Sequence, residues 1–251
     1  RLGQAAVAAA EVAGYRNAGT VEFLVDGDGD EAPFYFLEMN TRLQVEHPVT
    51  ELVTGLDLVH LQLDVAAGLP LTWAADTIAP RGHAIECRIY AEAPDADFLP
   101  QAGPVLRYVE PQGPGIRMDS GVREGDDITP DFDPLLAKLI VHASDRPRAL
   151  ARARQALRDL VILGLRTNTA YLRTILSHPD VAAGRIHTGW LAAHHDDLFA
   201  PVPAAARDAA RAVADRHRQL PLDQQRRCQS IGSPSSAESA TPWDTLGGWR
   251  G

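Results

Sequence analysis

The residues best suited to chemistry form an alternating series in one short stretch of the chain. Polar side chains occur at every second position after a run of aromatic and aliphatic residues, namely Glu38, Asn40, Arg42, Gln44 and Glu46. Alternate side chains of an extended strand point to the same face, so Glu38 and Asn40 should project together, with Phe34 and Phe36 behind them. A face with two carboxylates, two amides and a guanidinium makes a poor core but a good site for a metal-bound anion.

The alternative is an ordinary solvated strand, because antiparallel strands often carry one wet face with mixed charges. The expected position of Phe34 and Phe36 on the polar face argues against this reading. A fully solvated face seldom carries two phenylalanines. The pattern therefore favours a half-enclosed site.

A second carboxylate should lie next to Glu38. The β-branched and aromatic run Thr20 to Val25 is typical of a strand, and the Asp-Gly-Asp-Gly-Asp sequence after it is typical of a turn. The two strands should form a hairpin in which Glu22 and Glu38 lie about equally far from the turn. Two carboxylates so close would repel unless a cation lay between them. Mg²⁺ suits this place, because it accepts one or two protein carboxylates and keeps other positions for water and phosphate oxygens.

The rest of the chain supplies the elements that must position these groups. Helical spacing runs from Pro48 to Ala67 and is interrupted near Gly55. Further patterns predict strands at 83–91, 104–109 and 135–142, a helix at 146–159, a strand at 160–164 and a helix from Thr167 to Leu176. This order favours an antiparallel sheet with flanking helices, an α+β fold, over a regular βα repeat. The arginines of the helix at 146–159 should form a solvated face, with a subunit contact as the alternative: Arg148, Arg152, Arg154 and Arg158.

Three stretches carry a resemblance to a known family. The sequence Glu-Met-Asn-Thr-Arg-Leu-Gln-Val-Glu-His-Pro-Val-Thr-Glu, residues 38–51, resembles the signature of biotin carboxylases of the ATP-grasp superfamily. Residues 81–92 and 133–139 agree with the same family, and the resemblance covers residues 1 to about 195. It implies the carboxy-terminal half of an ATP-grasp biotin carboxylase from an acyl-CoA carboxylase α subunit of the methylcrotonyl-, propionyl- or acetyl-CoA type.

The resemblance implies a nucleotide and metal site on the hairpin. The carboxylates of Glu22 and Glu38 would hold Mg²⁺ or Mn²⁺ on the phosphates of ATP, with the amide of Asn40 assisting. Cations there would offset the charge that develops during phosphoryl transfer. Leu24 and Leu37 would line the adenine pocket, although apolar residues on strands often serve only the core.

The resemblance also implies a bicarbonate and biotin site. Arg42, as the catalytic arginine, would bind bicarbonate together with Gln44 and the backbone amide of Val45. A planar and permanently charged guanidinium fits a three-oxygen anion well. Glu46 would be the general base that takes the bicarbonate proton before the attack on the γ-phosphate. Arg88 would stabilise the enolate-like oxygen of biotin.

Taken one at a time, some of these residues have structural readings. Arg88 has the alternating position of an ordinary cation on a strand face. Lys138 lies in an apolar stretch, from which its side chain would extend toward solvent. The agreement of several motifs at several spacings favours the functional reading of the set as a whole.

The domain organisation expected from the sequence has three parts. Residues 1–70 would end the ATP-grasp core, residues 71–195 would form the biotin carboxylase carboxy-terminal domain, and residues 196–251 would hold a helix at 204–218, a linker at 230–242 and the start of another module. The only methionines are Met39 and Met118, so the Ala-Met-Lys-Met biotin attachment motif is absent. Biotin is therefore expected on a separate carrier domain, and a carboxyltransferase subunit would use the product.

Composition agrees with a part of an intracellular enzyme. The chain has 251 residues, 45% of them hydrophobic, and a net charge of −9. That charge disfavours nucleic acid or an anionic membrane as a partner. Cys87 and Cys228 suggest neither a disulfide framework nor a metal site, which fits a reducing compartment. Without a long apolar run or a signal-like segment, a cytoplasmic location is expected.

Two further hypotheses stay open beside the biotin carboxylase. The chain could be a non-catalytic dimerisation or assembly module, since carboxylases of this family commonly pair through this half. It could also belong to another ATP-grasp ligase with a different acid substrate.

The resemblance generates one prediction about the polypeptide alone. The amino-terminal subdomain, the lid with its glycine-rich loop and the lysines that bind ATP would all lie upstream of Arg1. We therefore expect the isolated chain not to turn over ATP in a bicarbonate-dependent ATPase assay with free biotin. Turnover comparable to that of a complete carboxylase would contradict this expectation.

Overall fold

A computed structural model of the chain describes residues 1–27, 29–72, 77–199 and 204–219. The chain divides into two compact units, residues 1–199 and 200–251. In the second unit the described part is one helix, Ala204–Gln219, close to the helix expected at 204–218. The linker expected at 230–242 and the module expected after it lie outside the described residues. The boundary expected at residue 70 stays a prediction.

The first unit begins with helix α1 (Leu2–Val12) and an antiparallel hairpin of strands β1 (Thr20–Val25) and β2 (Phe34–Asn40). Glu22 pairs with Glu38 across the hairpin, as expected. The register then shifts, so that Phe23 pairs with Phe36 and Leu37 is the extra residue of a β-bulge.

The bulge corrects one expectation. An extra residue exchanges the two faces of a strand, so Phe34 and Phe36 do not share the face of Glu38. Their rings instead contact Phe23, with centroid distances of 5.4 and 6.4 Å, and Phe23 points away from its neighbour Glu22. The phenylalanines thus form an aromatic cluster on the opposite face. Their expected position beside Glu38 was wrong, and they give no support to a half-enclosed polar face.

A short loop, residues 41–46, leads from β2 into helices α2 (His47–Thr54) and α3 (Leu58–Ala66). Pro48 in the first turn of α2 favours a helix start, since proline has no amide hydrogen to leave unpaired there. Gly55 ends α2 with a φ of 77°, a left-handed conformation that glycine adopts without a steric cost. The interruption expected near Gly55 is therefore the break between two helices.

The main sheet has three antiparallel strands, β3 (His83–Tyr90), β8 (Ile116–Ser120) and β10 (Leu135–Ala143), with β10 in the centre. Its two faces differ because side chains alternate along each strand. One face is apolar and carries Cys87, Ile89, Leu139, Val141 and Met118. The other carries most of the charged residues, and we call it the charged face: Glu86, Arg88, Arg117, Asp119 and Lys138.

Helix α4 (Arg146–Asp159) covers the apolar face of this sheet. Asp145 caps it by accepting a hydrogen bond from the amide of Arg148, and its buried residues recur at helical spacing: Ala149, Leu150, Ala153, Ala156 and Leu157. The expected solvated arginine face is only half right. Arg152 donates to the carbonyl of His142 and Arg154 to the carbonyl of Leu176, so both tie the helix to neighbouring elements.

The remaining elements are short. Two-residue strands β4 (Glu92–Ala93), β5 (Leu99–Pro100), β6 (Gly103–Pro104) and β9 (Asp127–Ile128), with β7 (Arg107–Val109) and β11 (Val161–Leu163), form three small antiparallel ladders. Helices α5 (Thr169–Ser177), α6 (Pro179–Ala183), α7 (Trp190–Ala193) and α8 (His195–Leu198) complete the core beside α4. Among the described residues, no helix combines the length and apolar character needed to cross a membrane.

Packing of α4 on the sheet should dominate the stability of the first unit. Leu150 is 2% exposed within the core, so Leu150→Ala should lower the free energy of unfolding by about 2–5 kcal/mol through lost apolar contact and a residual cavity. Leu163→Ala is the matched control, because Leu163 is 55% exposed and should cost less than about 1 kcal/mol. Urea unfolding of the three proteins measures both values, and equal losses would contradict this description of the core.

Candidate active site

The hairpin brings together the three residues expected to bind a cation. The amide nitrogen of Asn40 lies 2.8 Å from Glu22 Oε1 and 3.1 Å from Glu38 Oε1. Both carboxylates therefore approach one point from neighbouring strands. Their two oxygens are close to each other, because both lie within hydrogen-bond distance of the same nitrogen atom. The convergence follows from the register, which pairs Glu22 with Glu38 and places Asn40 two residues farther along the same face.

This donor set fits a hard divalent cation. Two carboxylates and an amide carbonyl are the oxygen ligands that Mg²⁺ accepts, with further positions left for water or phosphate. The amide nitrogen of Asn40 now lies between the carboxylates, where it offsets their repulsion. A rotation of the amide by half a turn would direct its oxygen to the same point. The two leucines expected to line an adenine pocket, Leu24 and Leu37, are 58% and 51% exposed, so neither belongs to the core.

The loop at 41–46 carries the groups expected to bind bicarbonate. The guanidinium of Arg42 donates to Gln44 Oε1 at 2.6 Å and to the carbonyl of Leu43 at 3.3 Å. The side chains of Arg42 and Gln44 thus lie together, as expected for two ligands of one anion. They line a cleft of about 450 Å³, whose walls also include Thr20 and Glu46. Glu22, Glu38 and Asn40 are not among its lining residues, so the cation groups and the anion cleft are neighbouring but separate.

Glu46 and Arg88 form the link between this loop and the main sheet. Arg88 Nη2 lies 2.7 Å from Glu46 Oε2, and the two side chains are 40% and 55% exposed. The expected general base and the expected biotin residue are therefore in direct contact, although 42 residues separate them in the chain. An exposed ion pair contributes little to stability, so the positions of the two groups depend mainly on the strand and the loop that carry them.

Asn168 is a buried polar residue that the sequence reasoning did not identify. Its side-chain oxygen accepts a hydrogen bond from the amide of Tyr90, and its nitrogen donates to the carbonyl of Arg88. It is 5% exposed and holds the edge of β3 where Arg88 lies. An asparagine at the start of a predicted helix indicates a helix cap, and this side chain is instead used to fix the strand.

Glu86 is the second residue that was missed. Its side chain is 5% exposed on the charged face, and neither carboxylate oxygen accepts a hydrogen bond from the described residues. Arg88 Nε is 3.9 Å away, too far for such a bond. Burial raises the pKa of Glu86 to about 7, against the opposing attraction of Lys138 and Arg88. A glutamate in an alternating strand gave no signal that its position would be buried.

The chain is similar to known proteins over most of its length. Residues 86–193 match the biotin carboxylase C-terminal domain, and residues 1–74 match the ATP-binding domain of the carbamoyl-phosphate synthase L chain. The chain is 48% identical over 200 residues to the mitochondrial methylcrotonoyl-CoA carboxylase subunit alpha of Rattus norvegicus, covering 79% of this chain and 28% of that protein. Identity to a biotin carboxylase of Halalkalibacterium halodurans is 50% over 194 residues, covering 77% and 42%.

One relative is similar along the whole chain. The mitochondrial methylcrotonoyl-CoA carboxylase subunit alpha of Dictyostelium discoideum is 41% identical over 251 residues, which make up 34% of its length. The chain thus spans less than half the length of each of these relatives. A solved structure, the biotin carboxylase domain dimer of Hydrogenobacter thermophilus 2-oxoglutarate carboxylase with MgADP, ADP and bicarbonate, has a TM-score of 0.74 and 42% identity, covering 78% of this chain and 43% of that chain.

The fold and the comparisons together define the class of protein to which this chain belongs. Strand pairing, flanking helices and matched regions are those of an ATP-grasp carboxylase. Within that class, the chain belongs to the biotin carboxylase family, and residues 1–193 correspond to the carboxy-terminal half of its catalytic domain. The family recognised in the sequence and the α+β fold are therefore confirmed, whereas the roles of individual site residues stay predictions.

Glu86 gives the site a measurable pH dependence. Because its pKa is higher in the folded state than the ordinary 4.5, the folded protein keeps a proton that the unfolded chain releases. The free energy of unfolding should therefore fall as pH rises from about 4.5 to about 7, by up to roughly 3 kcal/mol, and Glu86→Gln should remove this fall. Urea unfolding at pH 5 and pH 8 measures the difference.

The control for this experiment is Glu124→Gln. Glu124 is 42% exposed and paired with Arg107, so its substitution should leave the difference between the two pH values as in the unsubstituted chain. An equal pH dependence in the Glu86→Gln chain and in the unsubstituted chain would contradict the raised pKa of Glu86.

Proposed function

We propose that this chain supplies the metal, bicarbonate and biotin residues of an ATP-dependent biotin carboxylase. The observation that carries the proposal is the contact between Glu46 and Arg88 at 2.7 Å. This contact joins the loop that carries Arg42, the proposed bicarbonate-binding arginine, to the sheet that carries Arg88. A reaction that transfers a carboxyl group from bicarbonate to biotin needs these two cationic positions next to one base.

The first step proposed is the activation of bicarbonate. Arg42 and Gln44, which line the cleft, would hold its oxygens together with the amide of Val45, which follows Gln44 in the loop. Glu46 would accept the bicarbonate proton, and Oε1 is suited to this because Oε2 contacts Arg88. The freed carboxylate oxygen would then attack the γ-phosphorus of ATP, with ADP as the leaving group.

The second step proposed uses Arg88. The carboxyl phosphate formed in the first step would break down to CO2 and phosphate, and this phosphate would take the N–H proton of the ureido group of biotin, whose nitrogen would then bond to the carbon of CO2. Loss of the proton leaves negative charge on the ureido oxygen, and a fixed guanidinium beside that oxygen lowers the energy of this charge. Arg88 is suited to the role because it is anchored through Glu46 and through the hydrogen bond from Asn168 to its carbonyl. Its 40% exposure leaves room for a ligand to approach.

The hairpin residues would hold the cation that accompanies ATP. A divalent ion there would neutralise phosphate charge during phosphoryl transfer. Glu22 and Glu38 supply the charge for binding it, and Asn40 supplies a neutral oxygen. Relatives include a domain dimer solved with MgADP and bicarbonate, which supports the same ligands for this chain.

The partners proposed follow from this reaction. Biotin would be presented by a carrier domain, its product would pass to a carboxyltransferase subunit, and the catalytic domain would form a homo-oligomer. The similarity to methylcrotonoyl-CoA carboxylase alpha subunits supports an acyl-CoA carboxylase as the setting. The non-catalytic assembly module and another ATP-grasp ligase remain the alternatives.

Substitution of Arg42 separates these functions. In the complete carboxylase, Arg42→Ala should lower the rate of bicarbonate-dependent carboxylation of biotin by roughly a hundredfold or more, because one preorganised donor to the reacting anion is lost. The oligomeric state, measured by light scattering, should not change. The readout is ADP release with and without bicarbonate.

Arg123→Ala is the matched control, since Arg123 is 88% exposed and pairs only weakly with Asp126 at 3.4 Å. It should retain the full rate. Normal carboxylation with altered assembly in the Arg42→Ala protein would favour the assembly module. ADP release that does not depend on bicarbonate would favour a ligase with another acid substrate.

A further inference from the structure

Lys138 is the only lysine of the chain. Of the 24 lysine and arginine residues, all others are arginine. Every other permanently charged cation among the side chains is thus a guanidinium. The one exception, Lys138, lies at the centre of the charged face, on the middle strand β10.

The ammonium group of Lys138 does not extend into solvent as the sequence suggested. Its side chain is 14% exposed, and Nζ donates to the carbonyl of Val45 at 3.1 Å. It also lies 3.4 Å from Asp119 Oδ2. The structural alternative for Lys138, a side chain that reaches solvent, is therefore wrong, because its ammonium group contacts Val45 and Asp119 instead.

The contact with Val45 acts on the proposed bicarbonate loop. A hydrogen bond to the Val45 carbonyl fixes the peptide group that joins Val45 to Glu46. Glu46 also begins α2 as its cap residue, so its backbone orientation sets both the helix start and the direction of its side chain toward Arg88. One ammonium group, 93 residues away in the chain, thus restrains the loop that carries the proposed base.

The neighbouring charges explain why the side chain is lysine. Arg88 and Asp119 are the cross-strand partners of Lys138, and Arg117 already occupies both oxygens of Asp119 at 2.7 and 3.0 Å. Burial opposes ionisation of Asp119, but Arg117 and Lys138 together hold its pKa below the ordinary value. A compact ammonium needs few acceptors, whereas a guanidinium brings five N–H groups, some of which would be buried without a partner here.

We propose that Lys138 is a positioning residue that holds the loop at 41–46 through the Val45 carbonyl, and that this position requires an ammonium group. The consequence for catalysis rests on the proposed function, because it assumes that this loop binds bicarbonate. The structural part of the proposal does not rest on it.

The single lysine makes a direct test simple. Growth with ¹⁵Nζ-lysine labels one side-chain nitrogen in the 251-residue chain, so its NMR signal needs no assignment. We expect its ammonium protons to exchange with solvent at least roughly tenfold more slowly than those of free lysine, since they are held by Val45 and Asp119. Exchange as fast as that of free lysine would overturn the proposal. This measurement needs no substitution and so does not depend on the folding of a variant.

The second test measures the loop. Lys138→Met keeps most of the aliphatic stem and removes the donor, so amide hydrogen exchange at residues 43–49 should become roughly tenfold faster, as expected for the loss of one hydrogen bond. Lys138→Arg should show the same increase. Arg158→Met, which removes an exposed cation bonded to Gln155, is the control and should leave the loop unchanged.

The outcomes separate the parts of the proposal. Unchanged exchange of the loop in Lys138→Met would overturn the positioning role, and protection equal to the unsubstituted chain in Lys138→Arg would overturn the need for an ammonium. In the complete carboxylase, Lys138→Met should raise KM for bicarbonate roughly tenfold and leave KM for ATP unchanged. Bicarbonate-independent ADP release by the unsubstituted enzyme would instead count against the proposed function, whatever the exchange data show.

Discussion

The proposed site depends on the attachment of one short loop to the charged face of a three-stranded sheet. Three contacts make this attachment, and each joins the loop or α2 to a different strand: Glu46 to Arg88 on β3, Val45 to Lys138 on β10, and Glu51 to Arg117 on β8 at 2.6 Å. None of these partners is close in sequence. The loop at 41–46 lies outside the helices and strands, so its conformation depends on these contacts with the charged face. The same conformation shapes the proposed anion cleft, because Arg42, Gln44 and Glu46 line it.

Positive and negative side chains on this face occur in pairs, because a charge removed from water is costly without a partner. Arg88, Arg117 and Lys138 face Glu46, Glu51 and Asp119, so three cations meet three carboxylates. Glu86 would add a fourth negative charge in a buried position, and its raised pKa shows that burial outweighs the attraction of Lys138 and Arg88. The opposite face of the same strands is apolar and packs on α4. A rigid apolar layer thus supports a layer of paired charges, which is how a site built on a loop can be held in place.

The expectations that failed did so for identifiable reasons. A single inserted residue, Leu37, exchanged the faces of β2 and moved the phenylalanines away from the carboxylates, and no local pattern in the strand announces a bulge. Arg152 and Arg154 were expected on a solvated helix face because of their spacing, and an extended side chain reaching solvent was the structural alternative for Lys138. Each instead donates to a backbone carbonyl of another element. The acceptors are the carbonyls of His142 for Arg152, Leu176 for Arg154 and Val45 for Lys138, and the fold brings each pair together. Strand β8 was not predicted because its alternation of charged and apolar residues, Ile-Arg-Met-Asp-Ser, is too short to stand out.

The sequence by itself determined the hairpin, the helix at 146–159, the break at Gly55, the family and the pairing of Glu22 with Glu38. These features depend on alternation, capping and turn chemistry, which act between residues near one another in the chain, or on long motifs. Only the tertiary structure decided which charged residues meet across the main sheet, that Glu86 and Asn168 are buried, and that the lone lysine holds the Val45 carbonyl. The physical reason is that burial and hydrogen bonding of a polar group are properties of its surroundings, and those surroundings are assembled from strands and loops tens of residues apart.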